Sequence, residues 1–286
     1  MTDTGPRSRV AFWNVEHGKH LDQATDWLAG QNLDVLFWAE LQPGDDLRRV
    51  ENALGMVGYP AVDTPVSANQ NAILLRPDGP YALTAEYTGQ HRRAPWHPKV
   101  NLQVALRDDT GTTLPGALVL VGEHSSYFSP TTRLIEAEWY STVIKRNGRV
   151  LAMGDWNSYA VGEVPDLADI TDLAHLHDRT CLHPTLGRVA DTRPDEDLTA
   201  AGYVDLARHH ADRTGDSSPL TPTAGYGKPG QGGEQRIDRA YADPQTAGAL
   251  LSFDAVRGLE HLSDHRPLLA EFDLDRLRAA VGAALC

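Results

Sequence analysis

The polar residues with the clearest chemical potential lie at or near the ends of apolar segments, where a strand would stop. They are carboxylate, amide and imidazole side chains: Asn14, Glu40, His124, Asp155, Asn157, Asp238, Asp264 and His265. Rigid strands fix the residues at their ends, so we expect these side chains to gather in one crevice. Ligands of this kind, without a thiol, suit Mg²⁺ or Mn²⁺ better than structural zinc. The sequence therefore predicts a site for a hard divalent cation.

The elements that would position these residues are short apolar strands alternating with amphipathic helices. Strands are predicted at 9–13, 35–38, 72–75, 100–106, 118–121, 150–153, 237–242, 250–256 and 267–272. Helices are predicted at 21–28, 45–54, 130–146, 166–176 and 274–284, with a short one within 199–210 and a long loop at 214–234. This order predicts a single α/β domain with mixed sheets over 1–286, of which we expect 1–7 to be flexible.

Composition and charge limit the classes of function. The chain has 286 residues, with 26 Lys and Arg against 39 Asp and Glu, which gives a net charge of −13. Non-specific duplex binding depends on Lys and Arg that neutralise phosphates, so we expect no strong binding of this kind. Cys181 and Cys286 are too few for a disulfide scaffold, which favours a cytoplasmic location. We expect no membrane insertion, because no apolar run is long enough and no signal-peptide pattern is present.

Six segments resemble, in the same order, those of the endonuclease/exonuclease/phosphatase superfamily, which has the deoxyribonuclease I-like fold. They are AFWNVEHG (11–18), LFWAELQP (36–43), LVLVGEHSSYF (118–128), LAMGDWNSY (151–159), QRIDRAYA (235–242) and HLSDHRPLLAEF (261–272). GDWN and SDHRP together are the most specific part. The resemblance implies a four-layer α/β/β/α sandwich of two packed mixed sheets, and it implies metal-dependent hydrolysis of a phosphate ester.

The resemblance also implies which residues bind the cation, Mg²⁺ or Mn²⁺. Glu40 would be the main ligand, with Asn14 and Asp264 beside it. Glu16 lies where certain members of the superfamily place a further metal-binding acid. A bound cation neutralises part of the negative charge that would otherwise repel hydroxide from the phosphoryl group.

Catalytic roles are carried over by motif in the same way. Asp155 would orient or deprotonate the attacking water, and Asn157 would hold a phosphate oxygen. His265 would contact the phosphate and be oriented by Asp238, because a His–Asp pair fixes the tautomer and favours the protonated ring. His124 would be a second histidine on the phosphate or the leaving oxygen, although the usual Thr-His-Leu reads Glu-His-Ser here.

The segment QHRRAPWH at 90–97 is a local patch that is both basic and aromatic. Arg93, Trp96 and His97 are predicted substrate contacts, because such a patch binds a phosphate or stacks on a ring. Arg236, close to Asp238 in sequence, is predicted as a fourth substrate contact. A turn with solvated charges is the alternative interpretation of the segment.

A second cluster has residue types that bind zinc. It consists of His175, His177, Cys181 and His183 within LAHLHDRTCLHP. Its spacing is compressed compared with zinc ligand pairs, which usually come from separated elements. We favour the alternative, in which these histidines surround a structural cysteine.

Three functions stay open at this point. The first is a metal-dependent phosphohydrolase acting on a small phosphorylated or short substrate, which the acidic balance and the lack of basic loops favour. The second is a nuclease that cleaves phosphodiesters of DNA or RNA with the same centre. The third is a non-catalytic binding protein that retains the fold. Magnesium-dependent product release from a phosphodiester would distinguish an enzyme from a binding protein.

Overall fold

The strands of the protein form two large sheets and one small hairpin. The computed structural model describes residues 5–42, 44–63, 69–92, 96–145, 148–228 and 230–283. The strands are β1 (Arg7–Asn14), β2 (Val35–Leu41), β3 (Val57–Pro60), β4 (Gln70–Leu75), β5 (Tyr81–Glu86), β6 (Val100–Leu106), β7 (Leu118–His124), β8 (Arg149–Asp155), β9 (Thr180–His183), β10 (Gly187–Ala190), β11 (Val204–Asp205), β12 (Asp238–Ala242), β13 (Leu250–Ala255) and β14 (Leu268–Asp273). The helices are α1 (Leu21–Ala29), α2 (Asp46–Leu54), α3 (Pro130–Glu138), α4 (Ser141–Ile144), α5 (Leu173–Asp178), α6 (Arg193–Ala200), α7 (Leu206–Thr214), α8 (Pro244–Gly248) and α9 (Leu274–Gly282).

Each large sheet has six strands and a parallel pair near its centre. The first sheet has the order β13-β14-β1-β2-β4-β3, and the second has the order β11-β12-β8-β7-β6-β5. β1 runs parallel to β2, and β7 runs parallel to β8, whereas the remaining neighbours are antiparallel. The carboxyl ends of parallel strands share one edge of a sheet. The pair β1 and β2 therefore brings Asn14 and Glu40 to one edge of the first sheet. The pair β7 and β8 brings His124 and Asp155 to one edge of the second sheet.

The two sheets pack face to face, and helices cover their outer faces. Val10 and Phe12 of β1 face the core between the sheets, while Ala11 and Trp13 belong to the core beneath α1 and α2. Because both faces of β1 are buried, its sequence is a continuous apolar run and not an alternating one. On the second sheet, Tyr140 and other aromatic residues fill the outer core against α3 and α6. The predicted four-layer sandwich of two mixed sheets is confirmed.

Residues 130–145 form two helices, α3 and α4, where one helix over 130–146 was predicted; Arg146 lies outside the described residues. The chain turns at Tyr140, whose N–H bonds the carbonyl of Ala137 at 2.9 Å, three residues earlier. The ring of Tyr140 is fully buried, and its hydroxyl donates to Glu123 Oε2 at 2.7 Å. The free energy gained by burying this side chain exceeds the free energy lost by interrupting the helix.

The helix predicted at 166–176 is also interrupted. Asp166 accepts the backbone N–H of Ala168, and Asp172 accepts those of Ala174 and His175. Each aspartate is therefore an N-cap, and the segment begins a helix twice: a 3₁₀ turn at Leu167–Asp169 and then α5. The prediction of strands missed β3, β5 and the β9–β10 hairpin, which are exposed or half-buried over most of their length and so lack long apolar runs. Among the described residues, no helix has the length and apolar composition that crossing a bilayer requires.

Candidate active site

A cavity of about 540 Å³ opens at the edge where β2, β7 and β8 end and where the chain enters β12 and β14. Eight predicted site residues line it: Glu40, Trp96, His97, His124, Asp155, Asn157, Asp264 and His265. Asn14 and Asp238 lie buried behind this lining and bond to it. Arg93 lies outside the described residues. The structure thus brings together all eight residues of the strand-end prediction, and Trp96 and His97 of the segment at 90–97 join them.

The best-defined pair in the cavity is His265 with Asp238. The Nδ1–H of His265 donates to both carboxylate oxygens of Asp238, at 3.0 and 2.9 Å. Burial alone would lower the pKa of His265, but the charges of Asp238, Asp155 and Asp264 outweigh it and raise this pKa to about 10. Burial and the nearby Asp155 raise the pKa of Asp238, against the opposing effect of His265. The imidazole is therefore a cation near neutral pH, with its Nε2–H directed into the cavity.

The segment that carries His265 is held by hydrogen bonds to β1. The indole N–H of Trp13 donates to the carbonyl of His265 at 2.9 Å. The hydroxyl of Ser263 donates to the carbonyl of Asn14 at 2.7 Å and accepts the N–H of His265 at 3.1 Å. These bonds join residues about 250 positions apart, and they fix the imidazole before any substrate binds.

Asp155 lies between the two histidines of the site. Its Oδ2 is 3.8 Å from His124 Nε2 and 3.9 Å from His265 Nε2, which is too long for direct hydrogen bonds. Its Oδ1 accepts the backbone N–H of Asn157 at 2.9 Å, and Asn157 adopts a left-handed φ of 50°. Gly154 allows the close approach of β7 here, because a Cβ at this position would lie 2.2 Å from the carbonyl of Glu123.

Glu40 occupies an irregular position near the end of β2. Its φ is 65°, and the pairing of β2 with β4 shifts register between Trp38 and Leu41. Such strained backbone conformations are concentrated at functional sites. The amide of Asn14 donates to Glu40 Oε1 at 3.1 Å and to Asp155 Oδ2 at 3.3 Å, while its Oδ1 accepts the N–H of Glu16 at 3.2 Å. The amide of Asn14 thus links Glu40 to Asp155, and its role as a metal ligand stays a prediction.

The donor set fits a hard divalent cation. The carboxylates of Glu40, Asp155 and Asp264 face the same cavity, and Asp155 lies within 4.8 Å of the Asp238–His265 pair. A positive group already lies against two of the acids, since Lys228 Nζ is 3.0 Å from Asp264 Oδ2 and 3.1 Å from Glu16 Oε1. A cavity lined by carboxylates that attracts an ammonium group provides the oxygen ligands that Mg²⁺ or Mn²⁺ binds.

Several lining residues were not predicted from the sequence. They are His17, Asn69, Tyr127, His175, Arg179, Lys228 and Gln231, among others. Lys228 belongs to the predicted loop at 214–234, and its contact with Glu16 joins residues 212 positions apart. Arg179 is buried and donates through Nη1 to the carbonyl of Asn157. The only sequence signal for Tyr127 was its place in the motif that contains His124.

Aromatic rings form one wall of the cavity. His97 stacks on His124 with ring centroids 4.0 Å apart and planes at 7°. Burial, followed by the charges of His124 and His17, lowers the pKa of His97 well below its usual range, so this ring is neutral. Trp96 makes edge contacts with Tyr127 and Phe128, at centroid distances of 5.8 and 4.9 Å. The predicted substrate contacts Trp96 and His97 therefore lie beside the reactive groups.

Arg236 is a correction to the predicted set of substrate contacts. Its side chain is 3% exposed and forms ion pairs with Glu163 and Asp205, the second at 2.8 Å. It does not line the cavity. Arg236 precedes β12, which begins at Asp238, so closeness to Asp238 in sequence does not bring its side chain to the cavity. The guanidinium is used in a buried structural network.

We expect Arg236→Ala to lower the free energy of unfolding by about 3–5 kcal/mol, because it leaves the buried carboxylate of Asp205 without its cation and leaves Glu163 with Arg208 alone. Urea unfolding measures this loss, with Arg48→Ala, an exposed arginine of α2, as the matched control expected to change stability by less than about 1 kcal/mol. The folded fraction of the variant should keep its catalytic rate within a few-fold. A variant that is as stable as the wild type but inactive would support the original prediction that Arg236 contacts the substrate.

The four residues of the segment LAHLHDRTCLHP, for which zinc was the less favoured interpretation, do not converge on one point. His175 lines the cavity described above, whereas His177 and Cys181 line another cavity. His183 Nδ1 accepts the N–H of Thr185 within the turn between β9 and β10. Among the described residues these four side chains form no group that could hold a metal ion, which disfavours a zinc site.

No protein-family model and no curated protein sequence matches the chain. Solved structures do match it. An AP endonuclease from Archaeoglobus fulgidus is 17% identical, with a TM-score of 0.60 over 93% of this chain and 99% of that one. The 3' phosphatase NExo from Neisseria, bound to a product DNA hairpin, is 18% identical, with a TM-score of 0.61 over 93% and 99%.

A third similar structure is the endonuclease/exonuclease/phosphatase from Bacteroides vulgatus. It is 14% identical, with a TM-score of 0.62 over 93% of this chain and 98% of that one. At such low identities the likeness establishes the fold and leaves activity to the site itself. The chain has the deoxyribonuclease I-like fold of the endonuclease/exonuclease/phosphatase proteins, as its motifs indicate.

Proposed function

We propose that this protein hydrolyses a phosphate ester with the help of a divalent cation. The observation that carries the proposal is the convergence of Asp155, His124 and His265 on one cavity, with Asp238 behind His265. A carboxylate base flanked by two imidazoles, one of them held as a cation, matches the needs of attack by water on a charged phosphoryl group. A protein that only bound phosphate would not need the base at this position.

Glu40 and Asp264 would hold the cation, since both face the cavity and both lie next to the reactive groups. When bound, Mg²⁺ or Mn²⁺ supplies positive charge to the phosphoryl oxygens and lowers the pKa of a water ligand. Lys228 contacts Asp264 and would have to leave that carboxylate for the cation to bind there. Asn14 keeps Glu40 and Asp155 in place through its amide.

The chain's own residues divide the remaining work. Asp155 Oδ2 accepts the proton of the attacking water. The Nε2–H of His265 donates to a phosphoryl oxygen, and its charge is maintained by Asp238. His124 Nε2 lies 3.7 Å from Glu40 Oε1 and reaches the same space, where it would bind the leaving oxygen. Asn157 would hold a phosphate oxygen through its side-chain amide.

Two substrate classes fit this centre. The net charge of −13 favours a small phosphorylated molecule or a short substrate over long duplex DNA. A nuclease acting on DNA or RNA is the second candidate, and the aromatic wall of Trp96 and Tyr127 favours it because flat bases stack on such rings. The similar NExo structure is named as a 3' phosphatase bound to a product DNA hairpin, which supports a nucleic-acid substrate as a candidate for this fold.

A panel of phosphate monoesters, diesters and labelled oligonucleotides, assayed with Mg²⁺ and Mn²⁺, tests the proposal. We expect at least one ester to be hydrolysed by the wild type, and Asp155→Asn to slow it by about 10²–10⁴ because the base is lost. Glu86→Gln, an exposed carboxylate of β5 outside the cavity, is the matched control and should leave the rate unchanged. Equal rates for wild type and Asp155→Asn would contradict the proposal.

A further inference from the structure

A second cavity of about 550 Å³ lies between the start of α3 and the β9–β10 hairpin. Its charged and titratable lining includes Arg188, Arg193 and His177, and no carboxylate is among the described residues that line it. The first residues of α3 also line it, and they carry the positive end of that helix dipole. In a chain with 39 acidic and 26 basic residues, a cavity of this kind departs from the rest of the composition.

The two arginines of this cavity keep hydrogen-bonding capacity. Arg188 Nη1 donates to Thr180 Oγ1 at 2.6 Å, and no carboxylate in the described part of the chain lies within ion-pair distance of its guanidinium. Arg193 Nε donates to Asp191 Oδ1 at 2.7 Å, but its buried Nη2 has no partner among the described residues. Arg133 also contacts Asp191, at 3.0 Å, so the charge of this aspartate is already neutralised. Arg188 is therefore the less compensated of the two arginines, since Arg193 pairs with Asp191 and also lies near the charge of Glu196.

Neighbouring residues of three segments separate the two cavities. Tyr127 lines the active-site cavity and Phe128 lines the second, and Arg179 and Thr180 divide in the same way. Because consecutive Cα atoms are about 3.8 Å apart, the two cavities share a thin wall. His175 and His177 of α5, within about one helical turn of Arg179, also line different cavities. His175 lines the active-site cavity, and His177 lines the second cavity.

The exposed part of the wall between the two cavities consists of aromatic rings. Tyr127 is 48% exposed and Phe128 is 39% exposed, and their ring centroids are 5.3 Å apart. Trp96 supports both rings from the side of the active-site cavity. Exposed rings next to a basic groove bind molecules in which planar groups alternate with phosphates.

We propose that the second cavity is an anion subsite that holds a second phosphate group of the substrate. In this arrangement the reacting phosphate lies in the active-site cavity, a planar group rests on Tyr127 and Phe128, and the next phosphate binds Arg188 and Arg193. The inference rests on the proposed function for the identity of the first cavity. It limits the substrate to molecules with two phosphate groups separated by one ring-bearing unit.

Calorimetric titration of short thymidine nucleotides tests this subsite. The Asp155→Asn variant is used with Mg²⁺ present, so that binding is measured without turnover. TpT carries one phosphate, whereas pTpT and TpTp carry two. We expect one of the doubly phosphorylated probes to bind about tenfold more tightly than TpT, because charged hydrogen bonds to arginine are added. Adding Arg188→Ala should remove this preference, and Arg188→Lys should keep part of it.

Arg48→Ala in the same background is the matched control, since Arg48 is exposed on α2 and pairs only with a neighbouring residue of its own turn among the described contacts. It should keep the preference. A preference retained in Arg188→Ala, or absent before that change, would overturn the subsite. Inorganic phosphate that competes as strongly as the doubly phosphorylated probe would overturn the bridging of the two cavities. Because the readout is binding, absence of hydrolysis by the wild type would refute the proposed function and leave this result interpretable.

Discussion

Replacing His265 with alanine is expected to lower the rate of phosphate-ester hydrolysis by about 10²–10⁴, the usual effect of removing a positioned proton donor or charge. The change removes the cationic Nε2–H that faces Asp155 Oδ2 across 3.9 Å. It also leaves Asp238 buried without its imidazole partner. Steady-state kinetics on the best ester of the panel measures the loss in kcat.

Asp238→Asn should lower the rate and change its pH dependence. In the wild type, Asp238 contributes most to raising the pKa of His265 to about 10, so the imidazole stays protonated until the pH approaches that value. Without the carboxylate charge the pKa of His265 falls. The loss of activity at alkaline pH should therefore begin at lower pH in the variant, which a pH–rate profile records.

The double variant distinguishes a catalytic pair from two separate structural residues. Because His265 and Asp238 act as one unit, the double variant should be far less impaired than the product of the two single losses. Fully multiplicative losses, together with an unshifted pH profile, would mean that Asp238 only supports the fold and that His265 does not depend on it.

Glu40→Gln is expected to weaken binding of Mg²⁺ or Mn²⁺ by on the order of 10–10³. The change removes one unit of negative charge but keeps a side-chain oxygen that can still bind the cation, and a loss of 10–10³ corresponds to about 1.4–4 kcal/mol of binding free energy. Isothermal titration of the metal into the wild type and the variant measures the change. Glu86→Gln is the control and should bind metal like the wild type. Equal affinity in Glu40→Gln would remove this residue from the proposed metal site.

The sequence was sufficient to predict which residues meet at this cavity because strands set their positions. Asn14, His124 and Asp155 each end a strand, and Glu40 is the penultimate residue of β2. The parallel pairing of these strands brings the four residues to common edges. Asp238 reaches the same place because it opens an antiparallel strand in register with Asp155. Alternation and strand ends are local signals, so a single sequence contains them.

The residues that the sequence did not predict are placed by contacts between distant segments. Lys228 lies on a loop whose path no local pattern determines, and it meets Glu16 only in the folded chain. Arg236 seemed close to the site because of its neighbour Asp238. Its partners Glu163 and Asp205 lie 73 and 31 positions away, and their attraction turns the guanidinium elsewhere. Long-range electrostatic pairing of this kind has no signature in sequence spacing.

Removal and restoration of the metal tests the central claim most directly. The wild type is assayed on its best ester before chelation, in excess chelator, and after the chelator is replaced by Mg²⁺ or Mn²⁺. The account predicts a rate that falls to background in chelator and returns with the metal, because carboxylates and imidazoles alone do not neutralise the charge of the reacting phosphate. A full rate in excess chelator would contradict it.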